Sequence, residues 1–297
     1  MTSEFRNSFA ENVFRFKYAQ GPGDTWSKLA DRLVEDVCGS RNRTTSILMS
    51  GDDRKQLAQY IKEFKFLPGG RYLYYAGRPY KAYNNCYLLR AEEDTREEWS
   101  NVTWRAMSCL MTGGGIGIDY SRLRPSGKAL SRTGGTASGP IPLMYAINEI
   151  GRNVMQGGSR RSAIYASLNW QHEDITAFLT AKNWSEVVRQ QKAVDFNFPG
   201  PLDMTNISVN YDDASLVGGL ENNTVFKQNV LQALSTGEPG FSFNFGSKQN
   251  ETLRNACTEV TSEDDSDVCN LGSINLGNIQ SLEEFASVVH LASKFLV

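Results

Sequence analysis

Histidine is scarce in this sequence of 297 residues, which contains only His172 and His290. None of the five cysteines lies in a Cys-x-x-Cys motif, so the sequence disfavours a zinc site built from ligands that are close along the chain. No apolar run approaches the roughly 18 residues that span a bilayer, and residues 1–10 are polar and of mixed charge, unlike a signal peptide. We therefore expect a cytoplasmic protein with no membrane partner and no metal site.

The sequence also lacks a large excess of charge of either sign, since 31 basic and 33 acidic residues leave a formal net charge of −2. That balance gives no electrostatic reason to expect a nucleic-acid partner. The five cysteines are too few for a secreted disulfide scaffold, and in a reducing compartment a disulfide is more often catalytic than structural. With 40% hydrophobic and 22% charged residues, the chain has a globular composition and enough length for one large core or two domains.

The spacing of apolar residues changes character after the first 65 positions. The earlier part predicts helices, whereas from Tyr72 onward short β-prone runs alternate with amphipathic stretches and glycine-rich joints. Alternation of that kind is typical of an α/β domain. We predict a small helical region over residues 1–65 and an α/β domain over residues 66–297. The first helical spacing is carried by Trp26, Leu29, Leu33 and Val37.

The last segment begins with a capping box, Ser281 as the N-cap and Glu284 at the third helical position. The helix that follows has no Gly, Asn or Pro to end it before Val297. We therefore expect the chain to be truncated, with a C-terminal half supplied by the same gene or by a split partner. The apolar face of this helix consists of Phe285, Val288, Ala292 and Phe295.

One five-residue motif, Asn255-Ala256-Cys257-Thr258-Glu259, places an amide, a thiol and a carboxylate on alternate residues. If the segment is extended, these three side chains project to the same face and can meet one small substrate. Cys269 and the distant Cys86 remain to complete a redox pair. The alternative is a polar loop without chemistry, and the motif that follows, Cys269-Asn-Leu-Gly-Ser-Ile-Asn-Leu, favours the chemical interpretation. Cys38 and Cys109 are expected to be small buried hydrophobic residues.

Three glycine-rich segments are candidates for contacts with nucleotide phosphates or bases. Residues 113–119, Gly-Gly-Gly-Ile-Gly-Ile-Asp, make a weak dinucleotide fingerprint because no clear βαβ unit surrounds them. Residues 131–140 and 156–163 combine arginine with glycine, which suits a mobile loop that reads a phosphate or a base. The alternative for such loops is a solvent-exposed connection.

Together these motifs resemble ribonucleotide reductase, in six segments that run in the family's order from about Phe66 to Leu276. The resemblance implies a ten-stranded α/β barrel of two parallel halves, threaded by a finger loop that carries a radical cysteine. This chain would supply the helical N-terminal region, the first half-barrel and the finger loop. The implied reaction is the reduction of a ribonucleoside diphosphate or triphosphate to the 2′-deoxyribonucleotide, with a thiyl radical started by a cofactor.

The resemblance also implies a role for each matched residue. Cys257 would be the radical thiol, Glu259 the general base and Asn255 the amide that holds the sugar hydroxyls. Cys86 and Cys269 would supply two electrons and become a disulfide. The implied substrate contacts are Asn85, Gly115 and, at a position where other family members carry a hydroxyl residue, Arg71. The implied effector residues and specificity loops are Asp94, Arg124, Gln156, Arg160 and Arg161.

The loop sequences look like class II reductases, whose radical comes from adenosylcobalamin, a cobalt-containing vitamin B12 coenzyme. They are most similar to the short versions of marine phages and bacteria, which implies a bacterial or phage-infected host cell. The implied partners are a thioredoxin- or glutaredoxin-type reductant, a dNTP or ATP effector and a second copy in a homodimer. The alternatives are a class I large subunit fed by a separate radical subunit, and a split or truncated nucleotide-binding half that is inactive alone. An unrelated thiol oxidoreductase is disfavoured by the acidic residues 263–265 near the cysteines.

Overall fold

The computed structural model describes residues 4–39, 48–154 and 162–297, and divides the chain into two compact units. The first unit is Met1–Asn85 with Asn270–Val297, and the second is Cys86–Cys269. This division differs from the predicted boundary at residue 65. The first unit extends further because a short strand and a helix after residue 65 join its core, and because the chain returns to it at the end.

The first unit is mainly helical, as its apolar spacing predicts. Thr25 caps the second helix by accepting a hydrogen bond from the Lys28 amide at 3.2 Å. The four residues that predicted this helix are all buried, and they face the core of the unit. The elements are α1 (Ser8–Lys17), α2 (Trp26–Cys38), α3 (Gly51–Lys62), β1 (Phe66–Pro68), α4 (Gly70–Tyr75), β10 (Gly272–Ile274) and α10 (Leu282–Leu296).

The C-terminal helix α10 packs its apolar face into the core of the first unit. Val288, Ala292 and Phe295 are buried there, and β10 pairs antiparallel with β1. Ser281 caps the helix as predicted, accepting from the Glu284 amide at 3.1 Å. The reciprocal half of the capping box is shifted by one residue, since the Glu284 carboxylate accepts from the Gln280 amide.

The second unit is built on a six-stranded sheet in the order β6-β5-β4-β3-β2-β9. Strands β2 to β6 are parallel and neighbour one another in chain order, and β9 is antiparallel to β2. Sequential parallel strands with helical connections are the arrangement that the predicted half-barrel requires. The strands are β2 (Cys86–Arg90), β3 (Gly115–Asp119), β4 (Ile164–Asn169), β5 (Thr205–Tyr211), β6 (Gly240–Phe243) and β9 (Val268–Cys269). The helices are α5 (Arg96–Met111), α6 (Ile141–Asn153), α7 (Ile175–Thr180), α8 (Glu186–Val194) and α9 (Thr224–Thr236).

The two faces of this sheet differ in polarity because side chains alternate along each strand. One face carries the apolar core, in which Ile118, Leu168 and Val209 are fully buried under the helices. The opposite face is polar, although most of it is also buried. On that face Tyr165 and Ser242 share a hydrogen bond of 2.7 Å. The residues that form the polar face are Gly115, Gly117, Asp119, Tyr165, Ser167, Ser208, Asn210 and Ser242.

Candidate active site

Cys86 and Cys269 lie directly opposite each other on the antiparallel strands β2 and β9. Facing residues of an antiparallel pair have Cα atoms about 4.5–5.5 Å apart, within the range that a disulfide spans. The two cysteines are not joined by a disulfide in this structure, and both residues are about 5% exposed. Two residues 183 positions apart in sequence (86 and 269) thus form a site at which a disulfide can open and close without a large backbone movement.

The Asn-x-Cys-x-Glu motif forms the turn of a hairpin between β7 (Leu253–Arg254) and β8 (Thr261–Ser262), here called the finger hairpin. The premise of an extended segment is wrong, because Thr258 adopts a φ of 71° and its amide donates to the Asn255 carbonyl at 3.0 Å. Asn255 is fully buried, whereas Cys257 and Glu259 are exposed at the tip. The turn therefore presents the thiol and the carboxylate outward and holds the amide beneath them.

The buried amide of Asn255 has a defined orientation. Its Oδ1 accepts a hydrogen bond from the Val260 backbone amide at 3.2 Å, which closes the turn. A backbone N–H requires an acceptor, so Nδ2 is the atom that remains available for another group. Among the described residues, this Nδ2 has no hydrogen-bond partner of normal geometry. Asn255 is thus a buried donor whose Nδ2 is not used by the turn's own hydrogen bonds.

The finger hairpin crosses the polar face of β3 in a regular antiparallel register. A Cβ on Gly115 would lie 2.8 Å from the Cβ of Ala256, and a Cβ on Gly117 would lie 1.8 Å from the carbonyl oxygen of Arg254. At the next inward position of β3, the Asp119 carboxylate accepts from the Thr252 hydroxyl at 2.7 Å. The two glycines are therefore required by the close approach of another backbone, and Asp119 fixes the hairpin at its base.

Replacing Gly117 with alanine is expected to push the finger hairpin off the sheet, because backbone atoms block the added methyl group. We expect the free energy of unfolding to fall by about 1–3 kcal/mol, as for other overpacked positions. Urea denaturation followed by circular dichroism measures the change. Gly51→Ala is the matched control, since no atom lies within 4 Å of a Cβ at that position. Equal stability of the two variants would contradict the close approach described here.

The pKa of the Cys269 thiol depends on its burial and on the other predicted catalytic residues that lie near it. Burial raises the pKa of its thiol to about 11, and the Cys86 thiol, the Glu259 carboxylate and the Cys257 thiol raise this pKa further. The Asn255 amide acts in the opposite direction and favours the thiolate, although it is not aligned for a full hydrogen bond. The structure therefore brings together all five residues that the sequence predicted as catalytic.

Alkylation of Cys269 is expected to remain slow at pH 8 and to accelerate up to about pH 11. Only the thiolate reacts, and the raised pKa keeps this thiol protonated above the ordinary value of 9.0. Peptide mass spectrometry after timed pulses of iodoacetamide, under reducing conditions, measures the rate at each pH. The exposed Cys257 serves as the internal control for the reagent. A rate at Cys269 that levels off near pH 9 would contradict the assigned environment.

Two of the predicted effector residues bind each other. Arg124 and Asp94 form an ion pair through Nε, the Arg124 amide donates to Asp94 Oδ2 at 3.0 Å, and Nη2 donates to the Asp94 carbonyl at 2.8 Å. Both side chains are partly exposed. The other three predicted effector residues, Gln156, Arg160 and Arg161, lie outside the described residues.

The predicted substrate contacts Arg71 and Asn85 belong to the first unit, and both are buried. The Arg71 guanidinium lies 5.1 Å from the ring centroid of Tyr74, and stacks near Tyr75 as well. Asn85 has a buried Nδ2 without a hydrogen-bond partner among the described residues. Substrate contacts by these residues and by Gly115 stay predictions, and the space beside Gly115 is filled by the finger hairpin and the Cys86 sulfur.

Several residues that shape this site were not predicted as site residues. Gly117 and Asp119 stand in the glycine-rich run, where the alternation Gly-x-Gly-x-Asp on a strand is the signal for a close approach on one face. Thr252 carries no comparable signal, since its partner is distant in sequence. Within the described parts of the chain, no helix is long and apolar enough to span a membrane. Those parts also contain no cluster of three or more His, Cys, Asp or Glu side chains placed to hold a metal.

Comparison with known proteins gives a family match and several relatives. Residues 84–198 and 211–297 match the family described as the ribonucleotide reductase barrel domain. The vitamin B12-dependent ribonucleoside-diphosphate reductase of Mycobacterium tuberculosis H37Rv is 30% identical over 215 residues, which cover 70% of this chain and 28% of the relative. The enzyme of the same name from Thermoplasma acidophilum is 26% identical, covering 80% of this chain and 33% of the relative. The ribonucleoside-diphosphate reductase large chain of Cryptosporidium parvum is 26% identical, covering 92% of this chain and 39% of the relative.

A solved structure gives the same result for the fold. The alpha subunit of the class Id ribonucleotide reductase of Actinobacillus ureae superposes with a TM-score of 0.74 at 16% identity, covering 100% of this chain and 54% of that subunit. The predicted α/β half-barrel is thereby confirmed as a fold. The chain spans between 28% and 39% of the length of the three curated relatives. Because the family match covers more than half of its residues, the chain belongs to the ribonucleotide reductase barrel-domain family.

Proposed function

We propose that this chain carries the radical thiol and the reducing dithiol of a ribonucleotide reductase. The observation that supports this most directly is the facing pair Cys86 and Cys269, set beside a hairpin tip that bears Cys257 and Glu259. A dithiol, a single exposed thiol and a carboxylate are the groups that the reaction consumes or uses. The overall balance is one ribonucleotide and two thiols converted to one 2′-deoxyribonucleotide, one disulfide and one water.

Each side chain has a defined step in this proposal. A thiyl radical on Cys257 removes the 3′-hydrogen of the ribose, and Glu259 takes the proton of the 3′-hydroxyl. The 2′-hydroxyl then leaves as water. Cys86 and Cys269 provide two electrons and two protons in total as their disulfide forms. Cys257 returns the hydrogen to C3′, so its radical is regenerated.

The role of Asn255 is positional and is supported by its orientation. Since Oδ1 is used by the Val260 amide, Nδ2 is left to donate to a hydroxyl of the sugar. A donor fixed in a buried turn does not need to be ordered when substrate binds, which favours reaction over simple binding. Asn255 therefore orients the ribose between the thiol and the carboxylate of the same turn.

We further propose that the radical originates from adenosylcobalamin. The coenzyme would supply the radical chemistry, and Cys257, which is exposed at the hairpin tip, is the residue that would receive the radical. The names of the relatives from Mycobacterium tuberculosis and Thermoplasma acidophilum support this class. No side chain is assigned to hold the cobalamin. The alternative, a class I large subunit, has the support of the fold shared with the Actinobacillus ureae alpha subunit.

A reduction assay distinguishes the candidate functions. CDP or CTP is incubated with dithiothreitol and the protein, with and without adenosylcobalamin, and the deoxycytidine nucleotide is quantified by chromatography. We expect product only with adenosylcobalamin, and the choice between CDP and CTP identifies the phosphate class. The assay is run on the 297-residue chain, which we expect not to turn over by itself, and on the enzyme as assembled in its host, from which we expect product. Product that requires an added metal-bearing radical subunit would favour class I, and nucleotide binding without product would favour an inactive half.

The same assay tests the proposed effector contacts. Arg124 and Asp94 form a partly exposed charged pair that can reorganise around the phosphates or ribose of a dNTP or ATP effector. Adding dATP or dGTP should change the rate or substrate preference of the wild-type enzyme, and Arg124→Ala should remove that response. A response that survives in Arg124→Ala would place the effector elsewhere. A thioredoxin- or glutaredoxin-type reductant and a homodimer remain part of the proposal for the complete enzyme.

A further inference from the structure

Strand β9 is only two residues long, so its alignment with β2 depends on the segment that precedes it. Ser266 in that segment adopts a left-handed φ of 67°, which is unfavourable for a residue with a side chain. The backbone pairing nevertheless continues around Leu88, whose amide donates to the Asp267 carbonyl and whose carbonyl accepts from the Ser266 amide, both at 2.8 Å. We therefore expect contacts other than the backbone hydrogen bonds between β2 and β9 to hold this irregular segment in place.

Asp265 substitutes for the backbone where the ladder is interrupted. Its Oδ1 accepts a hydrogen bond from the Arg90 backbone amide at 2.7 Å, in the position that a strand carbonyl would otherwise occupy. Its Oδ2 forms an ion pair with the Arg105 guanidinium. The carboxylate therefore joins the segment before β9 both to β2 and to helix α5.

Arg105 completes the connection from the helix side. One of its terminal nitrogens donates to the Ser266 hydroxyl at 3.0 Å, and the other donates to the Arg90 carbonyl at 2.8 Å. Glu98, two turns earlier on the same face of the helix, accepts from the same guanidinium at 3.1 Å. The Arg105 side chain is 15% exposed, so these charge-assisted bonds are formed largely out of water.

We propose that Arg105 and Asp265, here called the β9 clamp, are positioning residues that keep Cys269 in register with Cys86 for disulfide formation. This inference rests on the proposed reductant role of the two cysteines. Neither clamp residue touches a reacting atom, and both act through the strand that carries Cys269. If the clamp is released, the two-residue strand shifts and the two sulfurs meet less often, which lowers the stability of the disulfide relative to the dithiol.

The thiol–disulfide equilibrium of the chain tests this directly, without substrate or radical. In glutathione buffers, Cys86 and Cys269 form one S–S bond as the S–S bond of glutathione disulfide breaks, and two electrons and two protons pass to two glutathione molecules. Mass spectrometry of acid-quenched, alkylated peptides gives the equilibrium constant. We expect Asp265→Ala to shift it toward the dithiol by about tenfold, which is about 30 mV for a two-electron couple.

Asp264→Ala is the matched control, because it removes the same charge from the neighbouring residue, whose side chain is exposed. This variant should have the same equilibrium constant as the wild type. The thermal midpoint of its reduced form should also equal that of the reduced wild type. If Asp265→Ala does not fold, Arg105→Lys keeps the charge, loses part of the forked contact and is expected to shift the constant about threefold.

These measurements distinguish a failure of the β9 clamp from a failure of the proposed reductant role. Equal constants for Asp264→Ala and Asp265→Ala would overturn the clamp while leaving the redox pair intact. A wild-type chain that forms no Cys86–Cys269 disulfide at any glutathione ratio would instead overturn the proposed reductant role, and the clamp with it. A tenfold shift confined to Asp265→Ala supports the positioning role, since a general loss of stability or charge would appear in the melting curve or in the control.

Discussion

Substituting Cys257 with serine is expected to lower ribonucleotide reduction by at least about 10⁴-fold, the scale of loss when a group that performs the chemistry is removed. A serine hydroxyl does not replace a thiol as the carrier of a hydrogen-abstracting radical. The side chain is exposed at the tip of the finger hairpin, so this change should not disturb packing. Nucleotide reduction and release of 3′-tritium from labelled substrate are the two measurements, and both should disappear together.

The control for this experiment is Cys109→Ser, which alters a partly buried thiol on helix α5 outside the site. That variant should retain 3′-hydrogen exchange, even if it is slightly less stable. Exchange that persists in Cys257→Ser would assign the radical to another residue. Loss of exchange in both variants would indicate damage to the fold and would call for a comparison of their melting curves.

Serine at Cys269, or at Cys86, is expected to separate the two halves of the reaction. The radical step uses neither thiol, so 3′-hydrogen exchange should continue, whereas dithiol-driven turnover should fall by at least about 10³-fold. The double variant should be no worse than either single one, because a disulfide needs both partners. Single-turnover and multiple-turnover assays on the same preparations measure the separation.

Two other results would contradict the proposal that Cys86 and Cys269 act as a pair. If Cys86→Ser abolished exchange as completely as Cys257→Ser, Cys86 would be needed before the reductive step. If the two single variants had additive effects, the thiols would act independently. Either result would be inconsistent with a reductant formed by two residues that face each other across β2 and β9.

The sequence predicted the helical beginning and the α/β alternation, because these depend on local spacing. It also marked five side chains by their chemistry, and their catalytic roles stay predictions. Helix α2 and the N-cap of α10 at Ser281 are examples in which local preference and tertiary packing agree. The five residues Cys86, Asn255, Cys257, Glu259 and Cys269 were predicted from two motifs and a resemblance, and the structure gathers them around one thiol.

The conformation of the Asn-x-Cys-x-Glu motif could not be predicted in the same way. Alternating polar residues suit a strand, but Thr258 is left-handed and the Asn255 side chain closes a turn with the Val260 amide. These features depend on the register between the finger hairpin and Gly117, which lies far away in sequence. The boundary between the two units also depended on a return of the chain that apolar periodicity does not encode.

The facing position of Cys86 and Cys269 connects catalysis to mechanical stability. A bond between them closes a loop of about 180 residues, and the chain-entropy model assigns a link of that length roughly 5 kcal/mol of stabilisation. Nearly the whole second unit lies inside this loop. Under the proposed chemistry, the oxidised protein that has just released product is therefore harder to unfold than the reduced protein that is ready to react. Resistance to proteolysis would then rise and fall with each catalytic cycle.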